Sequence, residues 1–257
     1  MPPPLKWAGG KRWQVPRIAL LFAPHRHRRL VEPFCGGLSV ALGLAPARAL
    51  LNDVNPHLIN FYRWLKRGLT IDLCLENSAQ AFYANRAWFN ELLRDGHQRT
   101  REAAALFYYL NRTGYNGLCR FNRSGQFNVP FGRYTRINYA RDFAAYRAAL
   151  AGWTFVARDF ERVPLRAGDF VYADPPYDVE FTNYAGRLFS WSEQVRTAAW
   201  LARHPGPVIL VNQATDRICR LYQEFGFRLV FLDAPRRISC TGDRTPVPEV
   251  LATRNLD

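Results

Sequence analysis

Cysteine, lysine and long apolar runs are scarce in this sequence of 257 residues. The 5 cysteines are odd in number and never spaced as Cys-x-x-Cys, which argues against a disulfide framework and against a zinc site. No run approaches the roughly 20 apolar residues that a membrane span needs, and the start lacks the apolar stretch of a signal peptide. We therefore expect a globular protein of the cytoplasm, of a cell or of the host of a phage, with no membrane partner.

Acidic residues are also in the minority, with 21 Asp and Glu against 35 Lys and Arg and a net charge of +14. Lysine occurs only at positions 6, 11 and 66, so the other basic residues are arginines. This surplus suits a polyanionic partner, because fixed positive charge releases the counterions condensed on phosphates. Nucleic acid is therefore the leading candidate partner.

Acidic residues are absent altogether from residues 103–141, although six arginines lie there. Aromatic residues and the turn pairs Asn116-Gly117 and Ser124-Gly125 alternate with these arginines. Such a pattern is typical of a β-hairpin or loop that contacts nucleic acid, where rings stack on bases and arginine binds phosphates or base edges. The alternative is a hydrophobic hairpin with a solvated basic face, and the charge pattern favours the first interpretation.

Outside that segment, short apolar strands alternate with helices, which predicts an α/β protein with a mostly parallel, doubly wound sheet. Residues 58–147 interrupt the alternation and indicate an inserted helical and β-hairpin domain. The predicted strands are 30–32, 49–51, 154–157, 170–173, 208–211, 227–233 and 250–253. The predicted helices are 39–44, 59–66, 193–202 with Ser192 as its cap, and 216–226.

A glycine turn, Phe34-Cys35-Gly36-Gly37, follows the first predicted strand, and Asp53 follows the second. Glycines let the chain turn tightly beside a nucleotide-like ligand, and a carboxylate at the next strand's end accepts hydrogen bonds from ribose hydroxyls. Alone, this pattern fits a nicotinamide dinucleotide, S-adenosylmethionine or a purely structural turn.

A more specific motif, Asp174-Pro175-Pro176-Tyr177, directly follows the predicted strand 170–173. The prolines fix the backbone so that the Asp174 carboxylate and the Pro175 carbonyl lie side by side. If both accept hydrogens of an amino group on a planar ring, the nitrogen lone pair is freed to attack a sulfonium methyl, and Tyr177 stacks on the ring. This chemistry needs no metal. The alternative is an ordinary turn with a buried tyrosine.

Five motifs, spread over nearly the whole chain, together resemble the Dam-type, alpha-class DNA adenine methyltransferases. They are KWAGGK (6–11), VEPFCGG (31–37), NDVN (52–55), NRTGYNGLCRFNRSGQFNVPFGRY (111–134) and DPPY (174–177). The resemblance implies a Rossmann-like methyltransferase sheet, with a catalytic domain that binds S-adenosylmethionine at residues 1–57 and 148–257 and a target-recognition domain at 58–147. It also implies methyl transfer to the exocyclic amino nitrogen of adenine in double-stranded DNA, at a GATC-like site. We expect a monomer, and the sequence leaves open whether a partner nuclease exists.

The resemblance further implies roles for individual residues. The implied catalytic residues are Asp174, Pro175 and Tyr177. The implied cofactor contacts are Trp7, Lys11, Phe34, Gly36, Asp53, Asp159, Phe160 and Asp174. The implied DNA contacts are Tyr115, Asn116 and Leu118 around a flipped base, and Arg120, Pro130 and Arg133 on bases or backbone. Arg120 is the candidate for guanine recognition. The family's glycine turn commonly runs Phe-x-Gly-x-Gly, whereas this chain has Leu38 at the position of the last glycine. Residues 236–244 only loosely resemble the family's basic loop.

Two other hypotheses stay open. One is a methyltransferase for another planar amine, such as cytosine or a glutamine side chain, which the aspartate of the motif and the recognition hairpin disfavour. The other is a catalytically inactive, sequence-specific DNA-binding protein of the same fold. Such a protein would normally lack cofactor residues, whereas Trp7, Lys11, Asp53 and Asp174 are all present.

Overall fold

A computed structural model describes residues 1–178, 189–234 and 247–256 of the chain. Seven strands in these ranges form one sheet. The strands are β1 (Leu30–Glu32), β2 (Ala49–Asn52), β3 (Trp153–Val156), β4 (Phe170–Ala173), β5 (Val208–Gln213), β6 (Arg228–Ala234) and β7 (Val247–Arg254). The helices are α1 (Val15–Phe22), α2 (Ser39–Leu44), α3 (Pro56–Arg67), α4 (Ala79–Arg94), α5 (Arg101–Thr113), α6 (Ala144–Ala149), α7 (Trp191–Ala202) and α8 (Asp216–Glu224). Among the residues described, no helix is long and apolar enough to cross a membrane.

The strand order is β3-β2-β1-β4-β5-β7-β6. The first five strands in this order are parallel, and β7 runs antiparallel to both β5 and β6. The prediction of an α/β protein with a mostly parallel sheet is thus confirmed. Every predicted strand exists; the bounds of β1 and β4 are as predicted, and those of the other five strands differ by at most three residues at either end.

Alternation along the strands divides the buried residues between two hydrophobic cores, one on each face of the sheet. Leu30 and Phe170 belong to the core that also contains side chains of α1 to α5. Their neighbours Val31 and Val171 belong to the core that contains side chains of α7 and α8. Helices therefore cover both faces, as a doubly wound sheet requires.

Two helices begin before their predicted starts, α3 at Pro56 and α7 at Trp191. α7 begins at Trp191, after Ser190, so Ser192 lies inside the first turn and is not its cap. The hydroxyl groups of Ser190 and Ser192 lie 2.7 Å apart and bond to each other. The Ser192 hydroxyl, which the sequence pattern assigned to the helix cap, is therefore hydrogen-bonded to Ser190 instead.

Residues 58–147 add no strand to the sheet. The predicted boundary at residue 57 lies within α3, which begins where the Asn55 side chain accepts hydrogen bonds from the backbone N–H groups of residues 57 and 58. α3 ends at Gly68, whose φ of 89° is easy only for glycine. Tyr62 of α3 packs on Phe155 of β3, with 5.5 Å between ring centroids, so the helix lies directly against the sheet.

Candidate active site

A cavity of about 880 Å³ opens at the carboxyl ends of the parallel strands. The loops after β1, β2, β3 and β4 all reach this edge, because parallel strands end on the same side of a sheet. Many of the residues singled out from the sequence line it. They are Trp7, Lys11, Phe34, Gly36, Asp53, Leu118, Asp159, Phe160, Asp174, Pro175 and Tyr177.

The glycine turn after β1 packs against Trp7. A Cβ on Gly36 would lie 2.7 Å from the indole Nε1, and one on Gly37 would lie 2.8 Å from the Trp7 Cβ. Gly36 also has a φ of 41°, and its carbonyl accepts a hydrogen bond of 2.6 Å from the Tyr62 hydroxyl. Both glycines are therefore needed for Trp7 to lie against the turn.

Leu38 is the residue at which the chain departs from the family pattern. Its φ of 60° and ψ of 23° are left-handed, a conformation that glycine adopts without steric cost. The side chain is fully buried in the core beneath the turn. The backbone thus keeps a glycine-type conformation, and burial of an apolar side chain offsets the strain.

Asp53 connects the turns that follow β1 and β2. One carboxylate oxygen accepts a hydrogen bond from the Gly36 N–H at 3.2 Å, and the other accepts one from the Asn55 N–H at 2.9 Å. Burial raises the pKa of Asp53 to about 6, and these two hydrogen bonds limit the rise. Each oxygen retains a further lone pair that could accept a hydrogen bond from a hydroxyl group of a ligand.

An aromatic group lines another part of the cavity. The rings of Phe34, Phe160 and Phe189 lie together, with centroids 5.3 to 6.3 Å apart. The Arg196 guanidinium lies 4.2 Å from the Phe160 centroid and forms an ion pair of 2.7 Å with Asp159. Apolar ring faces beside a hydrogen-bond acceptor suit a planar heteroaromatic group.

The aspartate of the DPPY motif, which is partly exposed to the cavity, belongs to an ionic group with the buried Lys11 and Glu249 that the sequence did not reveal. Lys11 Nζ lies 3.6 Å from Asp174 and 3.5 Å from Glu249 of β7. Glu249 also accepts a hydrogen bond of 2.6 Å from the Gln14 side chain. Glu249 and Gln14 are far from the motif in sequence, and the only available signal was an acidic residue inside an apolar strand.

Carboxylates outnumber ammonium groups in this part of the site. Burial raises the pKa of Asp174 to about 6, against the effect of Lys11, and Glu249 raises it further. Burial and the neighbouring Asp174 raise the pKa of Glu32 as well, and Glu32 Oε1 has no hydrogen-bond partner among the described residues. Lys11 supplies one positive charge against the two carboxylates of Asp174 and Glu249. The excess of carboxylate groups suits this part of the site to a cationic ligand.

Tyr177 lies next to the same lysine. Lys11 Nζ is 4.3 Å from the centroid of the Tyr177 ring, a cation–π distance. Lys11 therefore contacts both the carboxylate and the aromatic ring of the DPPY motif.

The amino-terminal segment also contacts the predicted recognition region. The backbone N–H of Lys6 donates to Asn111 Oδ1 at 2.9 Å, and Asn111 Nδ2 donates back to the Lys6 carbonyl at 2.8 Å. A Cβ on Gly117 would overlap the Cβ of Lys6. The pair Lys6-Trp7 therefore lies between the glycine turn on one side and residues 111–117 on the other.

Most residues assigned to DNA lie beside the cavity and do not line it. Leu118 lines it, whereas Tyr115 is half exposed and donates its backbone N–H to the Pro130 carbonyl at 2.9 Å. Asn116 and Arg133 have positive φ values of 50° and 51°.

The predicted β-hairpin forms two isolated antiparallel bridges, Gly114 to Phe131 and, nearer its tip, Phe121 to Phe127. Arg120 lies beside the second bridge, where Nε donates to Asn128 Oδ1 at 2.9 Å. The basic residues of segment 236–244 lie outside the described residues. Within the part of the chain that the structure describes, no group of three or more His, Cys, Asp or Glu side chains could hold a metal ion.

Comparison with known proteins gives a consistent result. The profile of one family, the D12 class N6 adenine-specific DNA methyltransferases, matches residues 7–236. A DNA N-6-adenine-methyltransferase of Escherichia phage P1 is 37% identical over 256 residues, which cover 93% of this chain and 33% of the phage protein. A DNA adenine methylase of Vibrio cholerae is 37% identical over an alignment of 279 positions, which covers 96% of this chain and 94% of that protein. The retron Ec67 DNA adenine methylase of Escherichia coli is 33% identical over an alignment of 267 positions, which covers 96% of this chain and 90% of the retron protein. The chain thus spans about a third of the phage protein and nearly all of the other two.

Proposed function

The chain belongs to the D12 class of N6 adenine-specific DNA methyltransferases, and on that premise we propose that it transfers a methyl group from S-adenosylmethionine to the exocyclic amino nitrogen of adenine in duplex DNA. The observation that carries the proposal is the position of the DPPY motif, at the carboxyl end of β4, in one cavity with the glycine turn of β1 and Asp53 of β2. β1 and β4 are adjacent, so a nucleotide-like ligand and a planar amine would meet there.

The residues of the cavity fit S-adenosylmethionine. Asp53 offers carboxylate lone pairs to ribose hydroxyls, and Phe34 and Phe160 offer ring faces to an adenine. The buried Oε1 of Glu32, which has no partner among the described residues, suits a cationic amino-acid portion. Trp7 and Gly36 form the wall between these contacts, and Lys11 orients Asp174.

The reaction then follows from the DPPY motif. When bound, S-adenosylmethionine supplies a methyl group activated by its sulfonium. The Asp174 carboxylate and the Pro175 carbonyl would accept hydrogen bonds from the two N–H groups of the adenine amine, which frees the nitrogen lone pair to attack the methyl carbon. The carbon–sulfur bond would break as the nitrogen–carbon bond forms, the sulfur would leave as a neutral thioether, and the methylated nitrogen would then release one hydrogen as a proton. Tyr177 stacks on the base, which contributes about 1–3 kcal/mol toward the cost of taking it out of the duplex.

We extend the proposal to the target. Residues 115–118 would contact the space left around the flipped base, and Arg120, Pro130 and Arg133 would contact bases or phosphates. A guanidinium is the usual bidentate partner of guanine in the major groove, so Arg120 is the residue expected to recognise a guanine of a GATC-like site.

The test is transfer of labelled methyl groups from S-adenosylmethionine to duplex DNA of mixed sequence, followed by sequencing of the modified bases. We expect N6-methyladenine at one short motif. Asp174→Ala should abolish transfer while DNA affinity changes little, because this carboxylate serves chemistry more than docking. Methylated cytosine would favour the alternative amine, and cofactor binding without any transfer would favour an inactive DNA-binding protein.

A further inference from the structure

Two buried amide side chains hold the backbone of the DPPY motif from behind. Gln194 of α7 donates from Nε2 to the carbonyl of Pro176 at 2.8 Å. Asn212 of β5 accepts at Oδ1 from the N–H of Asp178 at 3.3 Å. These are the peptide groups on either side of Tyr177. The two amides also bond to each other, from Asn212 Nδ2 to Gln194 Oε1 at 3.0 Å.

The orientation of both amides is determined by their partners. Asn212 Oδ1 faces two backbone N–H groups, those of Asp178 and Gln213, and an N–H can only donate. Asn212 Nδ2 must therefore face the Gln194 oxygen, which in turn directs Gln194 Nε2 toward Pro176. The second N–H of Asn212 donates to the Tyr222 hydroxyl at 3.1 Å. Every hydrogen-bonding position of Asn212 is thus used.

This arrangement is costly unless it is complete. Gln194 is 1% exposed and Asn212 is fully buried. A buried amide without partners is strongly unfavourable, whereas a fully bonded network favours one conformation over its alternatives. The conformation selected here is that of the chain around Tyr177.

We propose that Gln194 and Asn212 are positioning residues for methyl transfer, which fix the plane of the Tyr177 ring and the direction of the neighbouring Pro175 carbonyl. The inference rests on the proposed function, in which the target base stacks on Tyr177 and its amino group bonds to Asp174 and Pro175. Gln194 donates to the carbonyl of Pro176 and not to that of Pro175. The Pro175 carbonyl, which is proposed to accept a hydrogen bond from the substrate amine, is therefore not occupied by Gln194.

The main test is Gln194→Met, which keeps an unbranched side chain of similar length and removes both hydrogen bonds. We expect kcat for methyl transfer to fall about 10- to 100-fold, since displacements near 1 Å have effects of that size. The Kd values for S-adenosylmethionine and for duplex DNA should stay within about threefold, because neither ligand is proposed to touch Gln194.

The matched control is Thr197→Val, one turn further along α7. Thr197 is also buried, but its hydroxyl donates only to the Glu193 carbonyl of its own helix, at 2.8 Å. This variant should retain the wild-type kcat. Equal kcat values for Gln194→Met and Thr197→Val would overturn the inference, while a wild-type protein that methylates no DNA would instead overturn the proposed function.

A spectroscopic measurement separates positioning from a merely structural role. 2-Aminopurine at the target position fluoresces when it is unstacked, so its emission in the complex reports contact with Tyr177. We expect brighter emission with Gln194→Met than with wild type or Thr197→Val, and identical emission would contradict the inference. If Gln194→Met does not fold, Tyr222→Phe removes only the hydroxyl that holds Asn212. It should lower kcat about threefold, and an unchanged kcat would likewise overturn the proposal.

Discussion

At the scale of single residues, Asp174 can act as proposed only when it is ionised. Its pKa is raised to about 6, first by burial and further by Glu249. A carboxyl group with a raised pKa takes up its proton as the pH falls through that value, and the neutral form donates from one oxygen instead of accepting. The proton state of Asp174 should therefore control the rate near neutral pH.

We predict that kcat/KM for S-adenosylmethionine falls about tenfold per pH unit below pH 6 and is level above pH 7. The measurement is a profile of kcat/KM from pH 5 to 8, because this ratio reports the ionisation of groups in the free enzyme. Glu249→Gln removes a negative neighbour, so its descending limb should move to lower pH. A profile that stays level down to pH 5 would contradict the assignment.

Leu38 permits a prediction about stability. In the left-handed conformation a residue with a Cβ is strained by about 1–2 kcal/mol, which glycine avoids. Loss of a buried leucine costs about 2–5 kcal/mol. Leu38→Gly should therefore be destabilised overall, but no more than Leu38→Ala. At Leu42, which is buried inside α2, the short helix that follows Leu38, the glycine variant should be less stable than the alanine variant by about 1 kcal/mol. Urea unfolding of the four variants provides the comparison, and the same order at both positions would show that Leu38 is not strained.

At the scale of elements, the loop that contains residues 120–128 is organised before any DNA is present. Arg120 donates from Nε to Asn128 Oδ1 and from Nη2 to the Asn128 carbonyl at 3.2 Å, and Phe121 stacks on His57 at 4.7 Å. A guanidinium held in this way loses less freedom on binding than a mobile one. The element thus presents a preorganised donor.

Arg120→Ala should relax the choice of base at one guanine, at a cost of about 1–3 kcal/mol. The measurement is the ratio of kcat/KM for DNA with that guanine and with each other base. Arg220→Ala serves as the control, because Arg220 is exposed on α8 and is bonded only to its own helix. The assignment would be wrong if both variants kept the wild-type preference.

The strands and the loops after them were predictable from sequence. An apolar run predicts a strand, and the Gly36, Asp53 or Asp174 that follows it predicts a residue of the site. The partners behind those loops were not. Gln194 and Asn212 lie in an amphipathic helix and an apolar strand, where an isolated amide carries no local signal. Asn212 reaches the DPPY motif because β5 pairs with β4, and Gln194 reaches it because α7 packs on that face of the sheet. No pattern within a single segment encodes either contact.

At the scale of the whole molecule, the cavity joins segments from the amino terminus to β5, and the ion pair of Lys11 with Glu249 connects it to β7. A ligand that binds only the folded chain stabilises it by about 2.7 kcal/mol at a concentration 100 times its Kd. For a chain of this length that corresponds to a rise in Tm of roughly 5–10 °C. We predict this rise on addition of S-adenosylmethionine, measured by thermal unfolding. Asp53→Ala should reduce the rise, and an equal rise in both proteins would contradict the role given to Asp53.

The pairing of β1 with β4 also has a consequence for synthesis in the cell. Residues 30–32 leave the ribosome early, but the strand that covers one edge of β1 begins only at Phe170. At about 5–20 residues per second, the intervening chain of about 140 residues takes roughly 7–28 s to make. During that interval the central strand has an open edge, which is a template for pairing with other chains. Pauses in translation between these two strands should therefore lower the yield of folded protein more than pauses that follow β4.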